Sequence, residues 1–273
     1  MLTALLLLAA QTAPCEARLG SYADWKDIPG RNWDLSLTAP GGGSVTVIGA
    51  QHMRDPAHKQ FAHIAERFAA AAPTRVFFEG PDRGTAENAD DAIRTMGESG
   101  YLRFLAKQAG LPVASLEPDP VDQIAALRDR FSHDRILMFF VLREAARIRD
   151  REGKSGEVLD MLVTAMLAKS APLVAKAGLT TSITDLASLT AAVAREWPGR
   201  DWRTMPDNWF SSIARDPEAG FLTAIAAADS EFRNAHMLRS FADAALKGDK
   251  VFVVVGRTHV PMLEPGLRCA LAG

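Results

Sequence analysis

Two β-branched runs in this chain each end in Gly-x-x-His, and that repetition narrows the folds open to it. The first run, Val45-Thr46-Val47-Ile48, closes in Gly49-Ala50-Gln51-His52. The second, Val251-Phe252-Val253-Val254-Val255, closes in Gly256-Arg257-Thr258-His259. Runs of this kind read as buried strands. A glycine at the end of each lets the backbone turn sharply. The histidine then stands beyond the carboxyl end of its strand, where open α/β sheets place their ligands. Two further runs lead to the same edge: Arg75-Val76-Phe77-Phe78 enters Glu79-Gly80-Pro81, and Val113-Ala114-Ser115-Leu116 enters Glu117-Pro118. If the four strands lie parallel, His52, Glu79, Glu117 and His259 converge. Imidazole nitrogen and carboxylate oxygen suit Zn²⁺, Mn²⁺, Fe²⁺ or Co²⁺. They equally suit general acid–base catalysis near neutral pH.

The rest of the chain fits an α/β fold with a mixed, mainly parallel sheet flanked by helices. Trp33-Asp34-Leu35-Ser36-Leu37 alternates and, across the turn Ala39-Pro40-Gly41-Gly42-Gly43, forms a hairpin with the first Gly-x-x-His strand. Asp55-Pro56 is read as the cap and first residue of a helix over 57–72. A second helix over 91–109 ends at Gly110, and the strand 113–117 completes a β-α-β-α-β stretch. From about 122 to 216 no strand is expected. Helices are predicted over 122–130, 133–151, 155–176, 184–196 and 206–215, as a helical insertion beside the sheet that roofs or flanks the cleft. Trp197, Trp202, Trp209 and Phe210 cluster there, either as packing or as a cleft wall. In a last helix over 219–246, Phe221, Ile225, Ala228, Phe232, Ala235 and Leu238 make an apolar stripe. Asp229, Arg233, His236 and Ser240 make a polar one that leads straight into the last strand and can face the site.

A chain of 273 residues with 48% hydrophobic and 23% charged side chains has ample material for a core. A net charge of −2 gives no reason to expect a nucleic-acid partner. No internal stretch is read as a membrane span, so none is expected in the mature chain. Residues 1–14 carry no charge and enclose a short apolar run, so residues 1–17 read as a signal peptide without the usual basic start. Cleavage is expected after Ala17, with Ala10 as the second choice, leaving a single domain over 18–273 in the periplasm or outside the cell. Cys15 and Cys269 are the two cysteines. They bridge the termini if Cys15 survives in an oxidising compartment.

Each candidate site residue has a structural alternative. The two histidines can cap the helices that follow. Glu79 and Glu117 can be helix-start acids satisfied by backbone N–H groups. Arg233 can be a surface charge, or a guanidinium that orients a carboxylate or stabilises an oxyanion. His58 can reach the site, His63 is expected in solvent, His133 on the surface at a helix start, and Asp82 and Arg83 in a loop rimming the cleft.

The order Gly-x-x-His, Glu-Gly-Pro, Leu-Glu-Pro, Arg-Asn-x-x-Met and Val-Val-Gly-x-x-His resembles the TraB/PrgY–Tiki superfamily, whose distant relatives include erythromycin esterase and ChaN-like proteins. The matching segments are residues 47–52, 77–81, 115–118, 233–237 and 253–259. The resemblance implies an α/β core with a helical addition and a site built from both histidines, the first Glu and the Arg. It implies several activities: Mn²⁺- or Co²⁺-dependent proteolysis, hydrolysis without a metal, restraint of a peptide pheromone, or haem binding. One fold hosting so many chemistries leaves the substrate open. The expectation is an exported hydrolase, peptidase- or esterase-like, acting on a small molecule or peptide. In it His52, Glu79 and His259 hold Mn, Co or Zn, Glu79 or Glu117 acts as base, and Arg233 binds substrate charge. The alternatives are a non-catalytic binder of peptide or haem in the same cleft, with Tyr22 and Tyr101 as the tyrosines available to haem, or a regulatory protein.

Overall fold

The unbroken apolar run Val251-Phe252-Val253-Val254-Val255 within Lys250–Gly256 sets the architecture. In the computed structural model, which describes residues 15–27, 33–214 and 216–272, this segment is the central strand of a five-stranded sheet. The strands are β1 (Asp34–Thr38), β2 (Ser44–Ala50), β3 (Arg75–Phe78), β4 (Val113–Ser115) and β5 (Lys250–Gly256), in the order β1-β2-β5-β3-β4. The β1–β2 hairpin is antiparallel and every other pair is parallel. The mixed, mainly parallel α/β reading therefore holds, and the chain reaches its central strand last.

Alternation along β5 feeds two separate cores. Val251, Val253 and Val255 pack with Val45 and Val47 on one face, beneath α7 (Phe221–Leu246) and α8 (His259–Ala270). Phe252 and Val254 pack with Ile48, Val76 and Phe78 on the other, beneath α1 (Lys59–Ala71) and α2 (Ala89–Gln108). Phe77 meets Phe241 of α7 with ring centroids 6.0 Å apart, and Phe68 of α1 meets Phe252 edge-on at 5.2 Å. Register aligns the carboxyl ends: Ala50 pairs with Gly256, and Phe78 pairs with Val254. The residues after β2, β3 and β5 thus emerge side by side.

The chain divides into two compact units, residues 1–117 with 233–273, and residues 118–232. Among its described residues the second unit is helical throughout, as expected of 122–216. It comprises α3 (Pro120–Ala125), α4 (His133–Glu152), α5 (Gly156–Lys176), α6 (Leu186–Glu196) and the first part of α7. The helix expected over 206–215 is replaced by short 3₁₀ turns at Trp202–Thr204, Asp207–Phe210 and Pro217–Ala219. Pro206 and Pro217 restart the chain there rather than continue a helix. Trp197, Trp202, Trp209 and Phe210 are buried in this unit's own core, so packing accounts for them. Asp229 is buried here too, bonded to Gln123 and Arg143, which removes it from the polar stripe that was to face the site.

Three local expectations need correcting. His58, not Asp55, caps α1, its imidazole accepting from the Gln60 N–H, while Asp55 closes a turn ahead of it. Helix α5 does meet the length and composition of a membrane span. In this fold it turns Leu159, Val163, Leu167 and Val174 into the helical core and leaves Met161 exposed. Gly49 lies inside β2 and Gly256 ends β5, neither with a positive φ, so neither turns the chain as expected. Gly49 is required by crowding: a Cβ there would lie 2.8 Å from the Trp33 carbonyl oxygen and 2.9 Å from the Arg257 Cα.

The start of the described chain is stapled to its end. Cys15 is bonded to Cys269 in α8, and the Gly20 N–H donates to the Met262 carbonyl. Of the signal peptide expected over residues 1–17, residues 1–14 lie outside the described residues.

Candidate active site

Each expected residue lies at the carboxyl edge of the sheet. Glu79 follows β3 directly, Glu117 lies two residues past β4, His52 two past β2, and His259 opens α8 three past β5. Arg233 reaches the same edge from α7. Its Nη2 donates to Glu79 Oε1 and to Glu117 Oε1, both at 2.8 Å. Glu117 Oε1 also accepts from the Gly80 N–H at 2.9 Å, and Glu79 Oε2 from the Gly256 N–H at 2.6 Å. Gly80 has φ near +100°, which glycine adopts without strain and which turns its N–H to this carboxylate. Ser115 ties the two loops together, its hydroxyl donating to the Gly80 carbonyl.

The two histidines differ in kind. The His259 side chain is 8% exposed, with Nε2 3.5 Å from Glu79 Oε1. Its Nδ1 meets Asn234 Oδ1 at 2.6 Å and the Tyr22 hydroxyl at 3.2 Å, and Asn234 Nδ2 donates to that hydroxyl at 3.3 Å. His259 is therefore part of the buried packing at this edge as well as of the site. The His52 side chain is 54% exposed, and its Nδ1 lies 2.6 Å from Glu98 Oε1. With the Glu98 carboxylate accepting, Nδ1 is the donor, and in the neutral ring Nε2 is then the acceptor nitrogen. Nε2 points past Gly256. A Cβ placed on Gly256 would lie 3.4 Å from both His52 Nε2 and Glu79 Oε2. An open cleft of about 340 Å³ begins here, lined by Ala50, Gln51, His52, Gly256, Arg257 and Thr258.

Burial pushes the Glu79 carboxyl up, but the Arg233 guanidinium, then His259, then His52 outweigh it, and the net effect holds Glu79 well below the ordinary carboxylate range. It is ionised at neutral pH and a feeble base, because a carboxylate with so low a pKa gives little driving force for proton abstraction. Glu79 thus serves as a fixed negative charge, which of the two candidate bases leaves Glu117 the better placed for proton transfer. Arg233 bonds two carboxylates, where it was expected to bind substrate charge.

Arg233 is a competing cation at the metal position expected at His52, Glu79 and His259. Both Glu79 oxygens are taken by N–H donors, one of them on a guanidinium whose positive charge repels a second cation. His259 turns Nε2, not the Asn234-bonded Nδ1, toward Glu79. Among the described residues no three His, Cys, Asp or Glu side chains are grouped as a metal site.

Three residues of this arrangement had not been singled out for it. Glu98 is delivered by a break in α2, where Gly97 has φ 65° and ψ −148° and a Cβ would sit 3.1 Å from the Met53 carbonyl, next along the chain from His52. An acid between Gly97 and Gly100 inside a helical pattern is the signal that could have found it. Asn234 lies beside Arg233 in Arg-Asn-x-x-Met. Tyr22 has no sequence signal. Of the other candidates, His63 bonds Asp34 Oδ2 at 2.5 Å, His133 bonds the 180 backbone, and Asp82 is held by Arg103 at 2.8 Å. Tyr101 packs edge-on against Phe61.

Comparison of the chain with protein-family models, curated proteins and solved structures gives no match.

Proposed function

We propose that this chain is a hydrolase of ester or amide bonds that works without a metal, with His52 as general base. One observation carries the reading: His52 is accessible in an open cleft while its Nδ1 is held by a shielded carboxylate, Glu98. In the proposed reaction Nε2 takes a proton from water, and the oxygen attacks the substrate's carbonyl carbon. The imidazolium, stabilised by Glu98 and by the fixed charge of Glu79, returns the proton to the departing oxygen or nitrogen. The amino end of α8 opens at the same cleft through Thr258, and a helix start favours the negative charge that develops on the carbonyl oxygen. This follows the metal-free branch of the TraB/Tiki resemblance. Haem is a weaker fit, because Tyr22 is bonded inside the site and Tyr101 is packed against Phe61.

Gly256→Ala tests the reading. The added methyl makes ordinary contacts, and the backbone there needs no positive φ, so the melting temperature should move by no more than about 5 °C. The methyl stands between His52 and Glu79, where the attacking water belongs, so hydrolysis of 4-nitrophenyl esters should fall about a hundredfold. Unchanged hydrolysis in a folded variant would remove the reaction from this cleft.

We also propose an oxidising, extracytoplasmic location, supported by the Cys15–Cys269 bridge. A cut after Ala17 would discard Cys15, so the bridge favours the earlier cut after Ala10. Intact mass spectrometry of exported protein should give a chain that contains Cys15 and no free thiol. A mature chain beginning at Arg18 would contradict this.

A further inference from the structure

A second cleft, of about 600 Å³, adjoins the first and shares Gln51 and Arg257 with it; Trp33, Asp34, Lys59 and His63 are among its other walls. A substrate held at His52 that extends past Arg257 enters this space, which has the size of an ordinary ligand pocket. Its charges are unbalanced. Asp34 is the acid on its wall, and Asp34 is already answered by His63 at 2.5 Å and Arg67 at 3.9 Å. Arg257 is exposed and has no carboxylate partner among the described residues; its guanidinium lies over the Trp33 ring, 5.4 Å from the centroid. Arg103, Arg143, Arg203 and Arg233, by contrast, each bond a carboxylate. Lys59 adds a second exposed cation, and the first turn of α1 has no acidic residue to offset the helix's positive end.

This cation–π contact restrains the Arg257 guanidinium, whose planar fork suits two-point recognition of a carboxylate. Trp33 is itself fixed, since its carbonyl accepts from the Gly49 N–H at 2.6 Å.

We propose that Arg257, lying over Trp33, and Lys59 form a subsite for a substrate carboxylate, so that the bond cleaved at His52 lies a few atoms from a free acid, as in an acylated amino acid or the last residue of a peptide. The inference deepens the hydrolase reading and rests on it for the word substrate, but the binding itself needs no turnover. Isothermal titration of the full chain with N-acetylphenylalanine and with its neutral amide tests it. The acid should bind at least tenfold tighter than the amide. Arg257→Gln should erase that preference, Lys59→Gln should reduce it severalfold, and His52→Gln should keep it. Equal binding of acid and amide, no binding of the acid, or a preference that survives Arg257→Gln or disappears in His52→Gln would overturn the subsite. An intact preference in a protein that hydrolyses nothing would instead refute the hydrolase and leave the subsite standing.

Discussion

Glu98→Gln is expected to lower kcat/KM for ester hydrolysis on the order of 10³-fold while the protein stays folded. The reason is tautomeric. Glu98 accepts from Nδ1 of His52 at 2.6 Å, so in the neutral ring Nε2, beside Gly256, is the acceptor nitrogen. A glutamine can instead offer its amide N–H to Nδ1. The ring then carries its proton on Nε2, which becomes a donor in the cleft and cannot take a proton from water. A purely structural role for Glu98 predicts a lower melting temperature with activity retained in the folded fraction. Measuring kcat/KM together with a thermal melt separates the two.

Arg233→Met should be the most destabilising of the site variants. Its Nη2 is the cation between Glu79 and Glu117. Removing one partner of a mostly buried ion pair typically costs about 3–5 kcal/mol, and here two carboxylates are left facing one another. The loss should depend on pH in a definite direction. In the native protein Glu79 is held below its ordinary value near 4.5, so its contribution to stability is complete above that pH and is lost as pH falls through the depressed folded value. In the variant, burial acts without Arg233 to oppose it, and Glu79 protonates more readily. The difference in unfolding free energy between the two proteins should therefore be largest near pH 7 and shrink toward pH 4, as read by denaturant melts at both. A difference independent of pH would mean that lost packing, not charge, is responsible.

The sheet edge was legible because strand and ligand signals coincide in the sequence. Val251 to Val255 could hardly be anything but a buried strand, and a His or Glu following each of four such runs placed the site. The strand order was not legible, since nothing local says that the last strand inserts between β2 and β3. The roles within the site were less legible still. Glycines 49 and 256 look like turn residues in a sequence, yet they matter for what stands close to them: the Trp33 carbonyl in one case, Glu79 and His52 in the other. Glu98 is supplied by a helix whose continuity fails at Gly97, and Tyr22 by a disulfide-anchored segment far from any motif. Both are tertiary facts with faint local traces. The apolar stripe of α7 was set partly off its true face. Met237 and Phe241 are fully buried, whereas Phe232 and Ala235 are half-buried.

The measurement closest to the central claim is hydrolysis of a panel of 4-nitrophenyl esters and acylated amino acids by protein dialysed against a chelator, with His52→Ala beside it. The metal-free His52 mechanism predicts that at least one substrate is cleaved, that the chelator leaves the rate within about twofold, and that His52→Ala loses on the order of 10²-fold or more at an unchanged melting temperature. No cleavage across the panel, cleavage that requires added metal, or equal rates in the wild type and His52→Ala would contradict it.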